Sequence, residues 1–320
     1  MVMDDAIQTL LKDTAWDEAD IQTFPADWSS RYYARVTNKD GKTAILLKSP
    51  PDNSPQSVVG HKIGEWVKIN HHLKTLNLNV PTLYAQDLAN GIVLMEDFGN
   101  DTIANKGIDA YMAATDVLIS MNSHQKALDI NLIKYEKTHV YNALSFFPEY
   151  ILQNKKLNDS WLNAWRTVEQ SLPPCPRSLT HIDFGAANLM WLPDREGTDK
   201  IGILDFQAAC DGPFVYDMVN LLDDARRTIP DTIKQSCINH YCATLQTDQR
   251  HAFHAWYPVI AAQFHARVLG QIMKLKAEKN RDDLMQFFDP LLARFQEELN
   301  HSSLAPISNF IKDNDPHDRF

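Results

Sequence analysis

The sequence predicts an α+β protein of two lobes. A small β-rich lobe spans residues 1–95, a connector spans 96–100, and a larger helical lobe spans 101–320. Three observations carry this. Ahead of residue 96 the apolar residues fall into short β-branched or aromatic runs separated by glycine turns, with one helix-periodic stretch among them. Beyond Gly99 the apolar spacing becomes helical almost throughout. Strand runs followed by helix runs mark α+β architecture, whereas a parallel α/β sheet needs the two to alternate. Finally, 320 residues that are 44% hydrophobic and 22% charged suffice for one large domain or two lobes with a substantial core.

The elements follow in order. RYYARVTN (31–38) and KTAILLKSP (42–50) flank Lys39-Asp40-Gly41, where the glycine supplies the positive φ of a tight hairpin turn. After the polar turn PPDNSP, a helix is expected over 57–75, with Val59, Ile63, Trp66, Val67 and Ile69 toward one side. PTLYAQD and GIVLMED then pair across Asn90-Gly91. The order strand, strand, helix, strand, strand predicts a small sheet carrying one helix. In the second lobe, helical spacing covers 108–126, 131–143, 158–171, 213–227, 231–246, 252–276 and 282–299. It is interrupted by SLPPCPRS and by two strand-like stretches, THIDFGAANLMWL (180–192) and IGILDFQAAC (201–210). The last twelve residues, NFIKDNDPHDRF, are polar and expected to be loosely held.

Charge and cysteines exclude several function classes. Forty-one acidic against 31 basic residues give a formal charge of −10, which argues against nucleic-acid and anionic-membrane partners, both of which need a basic face. The start, MVMDDAIQTLL, lacks the basic and apolar regions of a signal peptide, and no apolar run reaches membrane-spanning length. Cys175, Cys210, Cys237 and Cys242 lack zinc-type spacing and read as reduced, mostly buried thiols. The expectation is a cytoplasmic monomer. His71 and His72 in KINHHLK read as exposed, with no second pair to suggest a metal site.

The two strand-like stretches hold the chemistry. Both are mostly apolar, so both should be buried, where ionised groups are costly unless paired or metal-bound. Yet they carry His181, Asp183, Asn188 and Asp205. His181, Asp183 and Asn188 fit HxDxxxxN, the spacing of a kinase catalytic loop, in which Asp orients the acceptor hydroxyl and Asn holds Mg²⁺. A base must come within about 3 Å of the attacking hydroxyl, and an Asn past a compact turn can then face the metal. Asp205, after IGIL, stands where the second metal ligand of a kinase stands. One Asn and one Asp suit Mg²⁺, which completes its shell with water and phosphate. His181 reads as a structural hydrogen-bonding residue. Asp217, in FVYDMVNLL, reads as a buried carboxylate that accepts backbone N–H bonds from the catalytic loop.

With these residues in view, the chain resembles the aminoglycoside phosphotransferase family. Within it, the resemblance is closest to bacterial anomeric kinases of N-acetylmuramate and N-acetylglucosamine that act in cell-wall recycling. It runs through ADWSSRYYARV, ILLKSPPD, NVPTLYAQD, IVLMEDFG, FFPEY, NLMWLPDREG, ILDFQAACDGPFVYDMVNLLDDARR and AAQFHARVLG. The DFQ…GP…YD…DAR pattern is the most specific part: where protein kinases carry the DFG of their metal site the chain reads Asp205-Phe206-Gln207, and no APE signature follows. The branch usually reads RDYHxxN in its catalytic loop, where this chain has Ile182 and Gly185 at the basic and second histidine positions. That difference bears on substrate choice.

The resemblance implies a bilobal protein-kinase-like fold, with ATP and Mg²⁺ as cofactors and a small-molecule acceptor, an amino sugar. Lys48 would pair the α- and β-phosphates, with Glu65 as its partner, or else be a solvated strand-end lysine. Ser29, Ser30 and Arg31 would offer donors to the phosphates, although Ala26 stands where glycine is common. Met95, Glu96 and Asp97 resemble the hinge that holds adenine through its backbone. Glu149 and Asp224 match positions that face the sugar, or else form helix-surface salt bridges. Arg267, on an apolar helix, is expected to pair with a carboxylate of a neighbouring helix rather than with a substrate lactyl group. A cationic acceptor, such as an aminoglycoside or choline, and a nucleotide-binding pseudoenzyme remain as alternatives.

Overall fold

The computed structural model describes residues 5–12, 14–24, 31–54, 62–123 and 127–315. In chain order these form α1 (Asp5–Leu11), β1 (Asp20–Thr23), β2 (Tyr32–Thr37), β3 (Thr43–Lys48), α2 (Ile63–Thr75), β4 (Leu83–Asp87), β5 (Ile92–Glu96) and α3 (Ile108–Ser123). There follow α4 (His139–Asn142), α5 (Asn158–Ser171), β6 (Arg177–Thr180), β7 (Leu189–Trp191), β8 (Ile201–Ile203) and β9 (Cys210–Pro213). The chain continues with α6 (Tyr216–Leu222), α7 (Asp231–Ala243), α8 (Thr247–Lys279), α9 (Phe288–Glu298) and α10 (Ala305–Asn314). The described residues divide into two compact units, one within Met1–Val117 and Ala187–Ala208, the other within Leu118–Ala186 and Ala209–Phe320.

The first unit is built on a five-stranded antiparallel sheet in the order β1-β2-β3-β5-β4. Alternation decides which residues face inward. Ala34, Val36, Ala44, Leu46, Ile92 and Leu94 form one buried face, closed by Ile7 and Leu11 of α1. Leu47 and Val93, on the opposite face, are fully buried too, which explains why β5 is a continuous apolar run. The β2–β3 turn is tied by Asn38, whose Oδ1 accepts from the amides of Asp40 and Lys42, and Gly41 takes φ 75°. At the β4–β5 turn Gly91 takes φ 68°, and a Cβ there would lie 2.1 Å from the Ser49 carbonyl oxygen.

The helix expected over 57–75 starts at Ile63 because Asp52, from the preceding loop, receives its first amides: Oδ1 accepts from Ile63 N at 2.8 Å and Oδ2 from Gly64 N at 3.1 Å. Val59 lies outside the described residues. α2 buries Ile63, Trp66, Val67, Ile69 and Leu73, with Trp66 against Phe206 at a ring distance of 5.0 Å. His71 is exposed as expected, but His72 is 8% exposed, on the inward face.

The hairpin β7–β8 belongs to this first unit although it lies some ninety residues beyond the sequence boundaries at 95 and 100. Trp191 N donates to Asp101 O at 2.7 Å, Ile203 N to Asn79 O at 2.8 Å, and Asn79 Nδ2 to Asp199 O at 2.7 Å. Arg195 bonds both Asn79 and Glu96. These are long-range bonds that local spacing does not encode.

The second unit is mostly helical. α5 spans the expected residues and buries Trp161, Trp165 and Val168 at helical spacing. α8 runs for 33 residues, passing through Pro258. Three expected helices are shorter than their apolar patterns; over 282–299 a 3₁₀ turn at Asp282–Phe287 precedes α9. Over 131–143, Thr138 accepts from Tyr141 N and starts α4 anew after a 3₁₀ turn at Tyr135–Lys137. Over 213–227, Pro213 ends β9, which pairs antiparallel with β6, and α6 begins only at Tyr216. Of the twelve tail residues, 309–314 are helical rather than loosely held, and 316–320 lie outside the described residues. Ile307 and Ile311 are fully buried, and Phe310 packs on Trp161 at 5.4 Å. All four cysteines are free, and three are buried. No described helix is long and apolar enough to cross a membrane.

Candidate active site

In the second unit the chain leaves β6 through His181, Ile182 and Asp183. Ile182 takes φ 78°, a conformation that a β-branched residue adopts only under constraint. The constraint is Asp217, in the first turn of α6 and 4% exposed. Its Oδ2 accepts from His181 N at 2.6 Å and its Oδ1 from Ile182 N at 2.9 Å. Burial pushes the Asp217 carboxyl up to about 7; the two amide bonds oppose this, and the nearby Asp183 charge adds to it. His181 is buried, and its Nδ1 accepts from Asp183 N at 3.2 Å. Ile182 and Phe184 occupy the buried positions on either side of Asp183, which is itself half-buried.

In the first unit, antiparallel pairing of β7 with β8 sets Leu189 opposite Ile203. Asn188 and Leu204 then extend the ladder, with Leu204 N donating to Asn188 O at 3.0 Å, and Asp205 follows at once. One hairpin therefore brings both expected metal ligands to the same end. Asp205 takes φ 61°, and its Oδ1 accepts from Gln207 Nε2 at 2.7 Å. Asn188 and Asp205 are half-buried, so solvent reaches both. The described residues contain no cluster of three or more His, Cys, Asp or Glu that would form a closed metal site. Two oxygen donors with solvent access fit Mg²⁺, which keeps several waters and takes phosphate oxygens.

The remaining expected nucleotide residues are also in the first unit. Lys48, half-buried at the end of the central strand β3, stands opposite Tyr32 and Ile92. Arg31 is buried just ahead of β2, while Ser29, Ser30 and Ala26 lie outside the described residues. Glu65 is on the exposed face of α2 and forms no ion pair with Lys48 or any other described residue, because Trp66 and Val67 take the inward positions. Met95 is buried within β5. At Glu96 burial works to raise the carboxyl, but hydrogen bonds from Arg195 and Thr82 outweigh it and hold the group low. Asp97 behaves likewise with Arg35 and Gly99 N. Arg35 and Arg195, which fix the connector from two sides, carry no local signal; only long-range pairing reveals them.

Of the expected sugar-facing residues, Glu149 sits in a π-helical turn at Phe147–Ile151 and pairs with Lys155 at 3.2 Å. Asp224 is buried, accepting from Arg226 N at 2.8 Å and Arg227 Nη1 at 2.7 Å. Among the described residues Arg267 does not pair with a carboxylate, contrary to expectation. Its guanidinium lies over the Phe264 ring at 5.2 Å and donates to the neutral Gln271 at 3.2 Å.

Known proteins share this chain's family and fold. Residues 20–257 match the family model described as the phosphotransferase enzyme family. A relative from Pseudomonas putida, named N-acetylmuramate/N-acetylglucosamine kinase, is 27% identical over 84% of this chain and 81% of its own. A relative of the same name from Caulobacter vibrioides is 27% identical over 84% and 85%. Among solved structures, an ethanolamine kinase from Plasmodium vivax superposes with a TM-score of 0.64 at 12% identity, covering 94% of this chain and 87% of its own.

Proposed function

We propose that this chain, which belongs to the phosphotransferase enzyme family, transfers the γ-phosphoryl group of ATP to the anomeric hydroxyl of N-acetylmuramate or N-acetylglucosamine. The coarser activity is plain from its membership and its relatives: it is an ATP-dependent kinase whose acceptor is an alcohol group of a small molecule. The amino-sugar acceptor is supported by the shared name of relatives that match over most of the chain.

The observation that carries the mechanism is the hairpin that closes Asn188 and Asp205 together. Five residues earlier, the loop presenting Asp183 is pinned by Asp217. In this reading Asp183 orients the acceptor hydroxyl and takes its proton. Asp217 holds the loop by its backbone, so Asp183 keeps its position through the reaction. Asn188 and Asp205 hold Mg²⁺, which supplies charge neutralisation on the phosphates. Lys48 and the segment ending at Arg31 position the triphosphate, and the backbone of 95–97 receives the adenine. Such catalysis is mostly positioning and electrostatics, which a rigid loop and a closed hairpin serve well.

The test is phosphorus NMR of the protein with Mg·ATP and, separately, N-acetylmuramate, N-acetylglucosamine, kanamycin and choline. Expected is a sugar-dependent anomeric phosphate signal, abolished in Asp183→Asn. Product from kanamycin or choline alone would overturn the acceptor. Turnover of none of them, with ATP still bound, would favour a regulatory pseudoenzyme.

A further inference from the structure

Beside the Asp183 loop, the second unit contains polar atoms that the mechanism above does not use. Tyr216 directly precedes Asp217 on α6 and is 1% exposed, and its hydroxyl is buried with no hydrogen-bond partner among the described residues. One turn on, Asn220 Oδ1 is in the same condition. α8 packs against α6 and brings Arg267, whose Nε is also buried without a partner. The groups share one neighbourhood. The Tyr216 ring packs on Tyr135 at 5.2 Å, and the Arg267 charge acts on both phenols against the effect of their burial. The Asp183 charge reaches Tyr216 as well.

Arg267 is half-buried, with its Nε closed off and unpartnered while the rest of the guanidinium reaches solvent, and a donor so placed calls for an anion. Arg267 forms no ion pair among the described residues, and its one hydrogen bond goes to neutral Gln271. Several of its buried or half-buried carboxylates are engaged elsewhere. Glu169 takes Gln263 and Tyr141, Glu298 takes His265, and Asp211 and Glu136 take Arg177. Asp217 accepts the loop amides.

We propose that Arg267 is the acceptor-specificity residue, binding a carboxylate on the acceptor with the Tyr216 hydroxyl as second donor. This rests on the amino-sugar reading and sharpens it. N-acetylmuramate carries a lactyl carboxylate and N-acetylglucosamine does not, so Arg267 favours the former while the shared ring reaches Asp183. Arg is suited to this task, since its planar fork recognises a carboxylate through two donors and stacks on an aromatic face at the same time.

The test is the ratio of kcat/KM for N-acetylmuramate to that for N-acetylglucosamine in the wild type, Arg267→Met and Arg267→Lys. The expected result is a fall of about ten-fold or more in this ratio for Arg267→Met, mostly through KM, with partial recovery in Arg267→Lys. Equal losses for both sugars would assign Arg267 to the phosphoryl group or to stability, and would overturn the proposal. A substrate-side variant needs no mutation: the carboxamide of N-acetylmuramate should lose about the same factor with the wild type and nothing further with Arg267→Met. Wild type that treats acid and amide alike also overturns it. If the wild type phosphorylates neither sugar, the amino-sugar reading fails and this inference with it, a result distinct from the other two.

Discussion

Asp217 shows how one buried carboxylate serves a catalytic loop and leaves a measurable trace. Its two amide bonds hold Ile182 in a left-handed conformation, which sets where Asp183 emerges. Its carboxyl titrates near 7 in the folded protein, against an ordinary value of 3.8. Between those values the native state keeps a proton that the unfolded chain has released. The contribution to stability is therefore fully present below 3.8 and is lost as pH rises through about 7. Urea unfolding of wild type and Asp217→Asn should show a stability difference in favour of the wild type that shrinks from pH 5 to pH 8. A difference independent of pH would mean that the amide bonds, rather than burial, govern this group. The motif positions 181, 183, 188 and 205 could be read from the sequence because their spacing is local. Arg267's lack of a carboxylate partner could not, because an apolar helix flank is equally consistent with an ion pair to any neighbouring helix.

At the scale of elements, two turns and one cap set the sheet. The Asn90-Gly91 turn was legible as a dipeptide signal, but the reason it must be glycine is tertiary. The Ser49 backbone passes so close that a Cβ at 91 would lie 2.1 Å from its carbonyl oxygen. Gly91→Ala combines that clash with a φ of 68°, and is expected to lower stability by at least about 1–3 kcal/mol. The melting temperature of the purified variant checks this; an unchanged value would mean that the β3 exit and the β5 entry separate freely. Elements with full apolar periodicity, such as α5, matched their expected bounds. Short ones were hidden. β1 is four residues with an exposed pattern, and the β6–β9 pair exists because Arg177 and Thr180 find Pro213 and Cys210 some thirty residues away.

For the molecule as a whole, the nucleotide reading makes a linkage prediction. A ligand that binds only the folded state raises its apparent stability, by about 2.7 kcal/mol at a hundred times its dissociation constant. Mg·ATP should raise the melting temperature of the full chain more than ATP with EDTA. Asp205→Asn should remove most of that metal-dependent increment while leaving a smaller shift with ATP alone. Equal shifts with and without metal in the wild type would argue against Asn188 and Asp205 as the metal ligands.

The sequence by itself determined the α+β class, the order of the main strands and helices, and the spacing of a phosphotransferase loop. Periodicity and turn chemistry are written in neighbouring residues, and HxDxxxxN spans only eight of them. The tertiary structure alone decided that β7 and β8 join the N-terminal sheet's unit, that Asp52 starts α2, and that Glu65 faces away from Lys48. It also decided that Arg195 and Arg35 clamp the connector. Each of these choices selects one partner among many of similar chemistry, often across sixty residues or more, and packing rather than local preference makes the selection.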